Sequence, residues 1–580
     1  MRFLCTPAFL AAITLVGSPA LAGTYRPHHA ALPATLAHSL NWALYAARVP
    51  QPQPPARRRR QHPHVKRSQS AWSTFAYSNL RTAWNAHETA LNTGNVNASS
   101  FGMLYSVPVD GEVYSQPLYV PQVPIPKQGT HDLLLVATEG DSVYAFDAES
   151  GAQIWKTTYV NPPNVTTFDP SVCGCSNIAF QQGITGTPVV DLPRLVMYFV
   201  TKTVESAGST TTTHYRLHEV SLRTGLDVTP NTDISASALG ADGTEVLLDP
   251  VWSIQRPSIA LEHGVVYVAF GSGADYHPTN TSGWLIAFDK YSLAQIAQFC
   301  DETGYPQLQY IWYGGQPETR LGSVWMAGAA PAIDAQGNVY VQTGNGAYDG
   351  ASDWAMSVIK VSPDLSHVVD SFTPSTWWSD TNSDQDLGSA GLMLLPHMRG
   401  RDGDVAIGGG KTGLTFVLNR NHLGGWNASG DRILSETQTN DGLWGTPAAY
   451  TGADGSTYVL IPGGGPMTLW QVRTGSGVSL GYMSQTTDHF SDGDDAGSEP
   501  IVSSNGTVAG SAIVWSYSRV GQGGPAQLTL RAYDASNLAN KLVELPYTYW
   551  LGGGELLSPS VANGMVFTAG EGVVSAFGLL

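Results

Sequence analysis

The chain is short of the groups that a disulfide-stapled, membrane-spanning or nucleic-acid-binding protein needs. It has four cysteines in 580 residues, too few for a framework of bridges. It has no C-x-x-C-H, which excludes covalent c-type haem. No stretch reaches the ~20 consecutive apolar residues of a membrane-spanning helix. Charged residues make up only 13%, and the bases are unevenly placed. Nine of the 29 Lys and Arg lie in residues 1–71, which hold no Asp or Glu. The body therefore carries 20 bases against 46 acids, a balance of −26. Phosphate binding needs a basic surface, so nucleic acid is not an expected partner. Cations, neutral sugars and basic peptides are compatible with such a surface.

What is plentiful is glycine, tyrosine and tryptophan, at 63, 25 and 16 residues. That composition suits short strands joined by turns. Residues 131–155, HDLLLVATEGDSVYAFDAESGAQIW, show the unit. Leu133–Val136 and Val143–Phe146 are apolar strands, Glu139-Gly140-Asp141 and Ala148–Gly151 are turns, and Ile154-Trp155 opens a third strand. One such sheet cannot bury both faces, so it predicts neighbours of its own kind.

Those neighbours begin with a short strand carrying a proline: Pro117, Pro188, Pro257, Pro331, Pro447, Pro500 and Pro559, with Leu392 in the same place in an eighth unit. Apolar strands such as GVVYVAFGS (264–272) and GMVFTAG (564–570) follow. The pattern predicts an all-β, eight-bladed β-propeller of four-stranded blades over 72–580. The last unit supplies only three strands. The strand FGMLYSVPV (101–109) precedes the first unit and is free to complete it, closing the ring and removing the exposed sheet edge.

The start of the chain differs. MRFLCTPAFLAAITLVGSPALAG has Arg2, an apolar core over Ala8–Val16 and an Ala20-Leu21-Ala22 cleavage site, so residues 1–22 read as a signal peptide. Residues 23–71 are Pro-rich and basic, with a short helical pattern over 34–49, and read as a disordered leader or pro-segment. A secreted or periplasmic monomer without a transmembrane segment is expected. Cleavage leaves Cys173, Cys175 and Cys300, and a bridge from Cys300 to Cys173 or Cys175 is expected, with one thiol left over.

AFDAESGAQIW (145–155) is similar to the A-x-D-x-x-x-G-x-x-x-W docking motif of pyrroloquinoline-quinone (PQQ) repeats. With ATEGDSVYAFDAESG, GITGTPVVD (183–191), DLGSAG (386–391) and GGGKTGLTFVLNR (408–420), it makes nearly all of 74–580 resemble secreted bacterial PQQ-repeat propellers of the quinoprotein alcohol dehydrogenase-like superfamily. The resemblance implies eight blades and a Trp packed between blades. Characterised dehydrogenases of the superfamily use a Ca²⁺-bound PQQ, a stacking Trp, basic groups near the quinone, a catalytic Asp and often a vicinal Cys-Cys pair. This chain departs from that set. Cys173 and Cys175 are separated by Gly174, the other docking motifs have lost their Trp, Asp or Gly, and no motif-matched position supplies the catalytic Asp, so catalytic residues are unassigned.

Residues at or beside the blade starts point toward the central funnel, where propellers bind ligands. Gln116, Thr187, Gln255, Arg256 and Trp444 are the funnel candidates, with Thr446 and Glu499 beside them and Lys411 after a strand. Arg256 and Lys411 suit the carboxylates of PQQ; their alternative is pairing with nearby acids. In DHFSDGDDAGSE, Asp492, Asp494, Asp495 and Glu499 suit an oxygen cage for Ca²⁺, although Ser503 stands where an EF-hand has its bidentate Glu. A solvated acidic loop is the competing reading. Asp380, Asp384 and Asp386 follow Trp377-Trp378, a pairing that suits a sugar or a cation. Gly477–Gly481 matches G-x-S-x-G, but it lies among strands with no helix to form a nucleophile elbow. Two functions follow: a non-catalytic exported propeller that binds a protein or glycan through its funnel or face, or a PQQ- and Ca²⁺-dependent dehydrogenase of an alcohol or sugar. Fold alone does not choose between them.

Overall fold

In the computed structural model the described residues are 70–580, apart from 174–177, 179, 274–281, 305–319, 399, 401, 440, 476, 492–496, 521–525 and 551–556. The chain divides at Pro50, and every described residue falls in the second unit, Gln51–Leu580. The expected signal peptide, the leader up to residue 69 and the helix over 34–49 therefore lie outside the described residues.

Sheets of four or five strands follow one another along the chain, eight of them among the described residues, antiparallel except where Trp84–Asn85 joins Ile501–Ser503 in parallel. The first comprises Leu118–Ile125, Gly129–Thr138, Ser142–Asp147 and Gln153–Thr158 in that spatial order. Each later sheet repeats the scheme. Its innermost strand follows one of the marker residues: Val189–Asp191, Ala260–Glu262, Ala332–Ile333, Met393–Leu394, Ala448–Thr451, Ile501–Ser503 and Ser560–Ala562. Middle strands are buried on both faces because neighbouring sheets cover them, which is why Val143-Tyr144-Ala145-Phe146 reads as a continuous apolar run. Outermost strands such as Gln153–Thr158 alternate with solvent. This is a β-propeller. The strand over Phe101–Glu112 pairs with Glu571–Leu579, Phe101 opposite Leu579, so the final sheet is completed from the N-terminal side as its three-strand repeat requires.

Trp155 behaves as the docking motif implies. Its indole nitrogen donates to the Leu222 carbonyl at 2.8 Å in the next sheet. Its ring lies against Gly225, where a β-carbon would stand 2.6 Å from the indole, and Gly225 has φ +71°. The residue there must therefore be glycine on both steric and conformational grounds.

Nothing in the repeat pattern announces the segment Trp72–Asn85. It runs past the innermost strands of all eight sheets and hydrogen-bonds to each one. Trp72 exchanges main-chain bonds with Tyr119, and Val190 N donates to Ser73 O at 2.8 Å. Asn79 Nδ2 donates to Leu261 O at 2.9 Å. Ile333 N donates to Asn79 O, Leu394 N to Leu80 O, Ala449 N to Thr82 O and Val502 N to Ala83 O, all at 2.8–2.9 Å. Asn85 Nδ2 donates to Val561 O at 2.8 Å. In seven of the eight sheets the partner is the second residue after the Pro or Leu marker. The innermost strands would otherwise present unpaired N–H and C=O groups to the axis, and this plug satisfies them. Arg81 is fully buried in it. Its guanidinium donates to the carbonyls of Pro331, Phe75 and Ser78 and to Thr74 Oγ1.

Cys173 and Cys300 are both free thiols, which corrects the expected pairing of Cys300 with Cys173. The Cys173 thiol instead donates to Val251 O at 3.0 Å, and the Cys300 thiol faces Glu302 O at 3.5 Å. The other expected partner, Cys175, lies outside the described residues. No described helix is long and apolar enough to cross a membrane.

Candidate functional site

The blade-start residues meet around the axis, where they bond from sheet to sheet. Gln116 N donates to Thr187 Oγ1 at 2.9 Å. Thr187 N donates to Ser258 Oγ at 3.0 Å, and Ser258 Oγ to Gly328 O at 2.6 Å. Gln342 Nε2 reaches Ala390 O at 2.7 Å, Ser389 Oγ reaches Leu443 O at 2.8 Å, and Thr446 N donates to Glu499 Oε1 at 3.2 Å. Ala569 N donates to the Tyr517 hydroxyl at 2.9 Å. Gln116 Nε2 completes the circuit on Ser558 Oγ and Pro559 O, both at 2.7 Å. The other end of the Gln116 amide accepts from Trp72 Nε1 and Ala76 N, tying this circuit to the plug.

Glycine makes the close approach possible. A β-carbon on Gly186 would stand 2.5 Å from Pro257 O, one on Gly445 2.3 Å from Ser498 O, and one on Gly391 2.4 Å from both Ala329 Cβ and Thr446 Oγ1. The funnel candidates are correspondingly enclosed. Gln116, Thr187, Gln255 and Arg256 are each at most 4% exposed, and Gln255 Nε2 bonds back to Pro257 O.

Arg256 lies among these starts. Its guanidinium fills the space beside Gly328, where a β-carbon would stand 2.1 Å from Nη1, and it sits 5.6 Å over the Tyr114 ring. Two buried carboxyls feel its charge. Burial pushes Glu139 up to about 7, against the opposing pull of bonds from Gly183 N and Thr185 Oγ1 and of the charges on Arg256 and Lys202. Burial raises Glu499 to about 8, against Thr446 N and Arg256. Lys202, also buried, donates to Gln182 and to Ser253 O, and burial lowers it to about 7. Glu139 and Lys202 were not singled out from the sequence. The signal was there for Glu139, in a turn beside two blade starts, but a turn Glu ordinarily faces water.

The described partners of Arg256 and Lys411 are different. Lys411 Nζ pairs with Asp386 at 2.6 Å and Asp384 at 3.1 Å. Asp384 also accepts from Asn345 Nδ2. Burial and the neighbouring Asp386 raise Asp384 to about 6. Asp380 is elsewhere, accepting from Thr376 Oγ1 beside the short helix Trp377–Asn382. Trp444 packs against Gly442, where a β-carbon would stand 2.6 Å from the indole, and its buried Nε1 has no hydrogen-bond partner. Of the acidic set, Asp492, Asp494 and Asp495 lie outside the described residues. Glu499 is buried in the axial circuit, whereas Asp488 at the head of the same stretch pairs with Lys541 at 3.0 Å.

Three comparisons bear on this arrangement. No protein-family model and no curated relative matches the sequence. Solved structures do match. A quinohemoprotein alcohol dehydrogenase from Comamonas testosteroni aligns with TM-score 0.52 and 15% identity over 88% of this chain and 80% of its own. One from Pseudomonas putida HK5 aligns with 0.52 and 14% over the same shares. A europium-containing methanol dehydrogenase gives 0.54 and 13% over 88% and 98%. The chain therefore has the propeller fold of the quinoprotein dehydrogenases, and at these identities the likeness concerns fold alone.

The cofactor that the resemblance implies is PQQ held with Ca²⁺. Among the described residues no three His, Cys, Asp or Glu side chains converge as metal ligands. At the level of the blade starts, Gly186, Gly391 and Gly445 already lack room for a methyl group. A flat polycyclic quinone therefore has no room between the inner strands at these three contacts.

Proposed function

We propose that the chain is an exported, non-catalytic propeller that binds a protein or glycan through one of its faces. The observation that carries this reading is the state of the axis. The residues best suited to hold a ligand in a funnel bond to one another from sheet to sheet, and Trp72–Asn85 lies across the innermost strands beyond them. A protein that loses its axial cavity keeps its turns and its rims as binding surfaces. The acidic body favours cationic or neutral partners over anionic ones.

The test is a titration of the full chain with PQQ in the presence of Ca²⁺ and, separately, of EDTA, followed by melting temperature and Trp fluorescence. The expected result is no saturable shift. Ligand bound to the folded state alone at a hundredfold excess over Kd stabilises by ~2.7 kcal/mol, so a Ca²⁺-dependent rise with PQQ would overturn the reading. It would favour the alternative, a quinone- and calcium-dependent dehydrogenase of an alcohol or sugar with Arg256 at the quinone.

A further inference from the structure

A cavity of about 490 Å³ opens between the fourth and fifth sheets, at the ends of their inner strands away from the blade starts. That volume lies within the ~300–1,000 Å³ range of small-molecule sites. One wall is the turn Asp334–Asn338 and the other is supplied by Leu395, Pro396, His397 and Asp404. Leu80 of the plug, Leu395 and Pro396 supply apolar surface.

The polar groups have a definite pattern: among the described residues, each charged side chain lining the cavity already has a counter-charge. Asp404 takes Arg420 Nη2 at 3.1 Å and His397 Nδ1 at 3.0 Å. Lys360 Nζ stands 3.8 Å from Asp334 and donates to Arg420 O at 3.2 Å. Asp334 is saturated by the main-chain amides of Gln336 and Asn338, by Asn338 Nδ2 and by the Tyr340 hydroxyl. A charged ligand would have to break one of these pairs, and the charge left behind would be costly. Neutral hydrogen-bonding capacity is not saturated. Asp404 Oδ2 holds only the weak bond from Asn421 at 3.2 Å. Donors and acceptors interleaved with small apolar surfaces match the hydroxyls and C–H faces of a sugar.

We propose that this cavity binds a neutral sugar, a monosaccharide or the terminal unit of a glycan. The inference rests on the reading of the chain as a binding propeller and names the ligand class of one face. The experiment is ligand-observed NMR and calorimetry of the full chain against glucose, galactose, mannose, N-acetylglucosamine and maltose, with glucuronate, glucosamine and alanine as the anionic, cationic and zwitterionic comparisons. The expected result is saturable binding of at least one neutral sugar, weakened at least tenfold in its charged analogue. Gln336→Ala and His397→Ala, both at exposed positions on the rim, each weaken it about two- to tenfold, the effect of one neutral hydrogen bond. Three outcomes overturn the proposal: no neutral sugar binds at millimolar concentration, a charged or zwitterionic compound binds more tightly, or both variants bind as the parent does. Failure here leaves the PQQ titration unaffected. Conversely, PQQ bound at the axis with sugar still bound at this cavity would overturn only the non-catalytic reading.

Discussion

Arg81 offers the sharpest test of the plug. It is fully buried, and burial lowers its pKa to about 9, with Glu262 pulling the other way, so it remains charged at neutral pH. Its guanidinium satisfies the main-chain carbonyls of Phe75 and Pro331, the latter with two bonds. Arg81→Ala leaves both carbonyls buried without these donors, at about 1–3 kcal/mol each. The vacated volume adds to that cost, while removing a buried cation returns some of it. The net loss is about 4 kcal/mol. Unfolding entropy near the transition is ~2.1 cal/mol/K per residue, or roughly 1 kcal/mol/K for a domain of some 500 residues, so the melting temperature should fall by about 4 °C. Arg81→Met keeps most of the volume and removes the charge, and should fall by about half as much. Differential scanning calorimetry of the three proteins at pH 7 decides it. An Ala variant within a degree of the parent would refute the claim that these carbonyls depend on the guanidinium.

Two further outcomes are expected. Gly225→Ala places a methyl 2.6 Å from Trp155 on a residue with φ +71°. It should cost about 1–2 kcal/mol from the backbone conformation alone, and more with the clash. The double variant with Trp155→Ala should lose less than the sum of the single losses, as a double-mutant cycle by chemical denaturation would show. Glu499, raised to about 8 by burial, keeps in the folded chain a proton that the unfolded chain releases near its ordinary value of 4.5. Folded protein therefore binds more protons between those values, and stability falls as pH rises from about 4.5 to 8. Glu499→Gln removes this slope while keeping an acceptor for Thr446 N. Its melting temperature should rise relative to the parent from pH 5 to pH 8, and a difference that does not vary with pH would contradict the assignment.

The repeating sheets were legible because each one restates the same apolar periodicity and the same proline. The closing strand was legible by subtraction, since the last unit lacked one. Trp155 was legible as a packing residue because its motif is intact. The plug was not. Six of its eight bonds run from main chain to main chain, the other two come from the Asn79 and Asn85 amides, and its own sequence, SAWSTFAYSNLRTAWNA, has no period to read. Arg81 looks like a surface residue until its four acceptors are in place. The blade-start residues were legible as a set that faces the axis. What the set does there depends on the distance between sheets, which no single repeat encodes. The informative letters were Gly186, Gly391 and Gly445, each at a place where one inner strand touches the next.

The plug also constrains how this ring is assembled. It lies at 72–85, yet its partners extend to Val561, and the closing strand at 101–112 pairs with 571–579. The two elements made first are thus satisfied by the residues made last. Contacts of such sequence separation slow folding, because the loop between them must close before they form. Until residues 560–579 are available, Asn85, Phe101 and the main chain around them lack their final partners, and such surface invites misassembly. Ordinary propeller closure carries this cost once, at the seam between the first and last strands. Here the cost is incurred a second time at the axis. The return is that the innermost strands, several only two or three residues long, have their axial N–H and C=O groups bonded by protein.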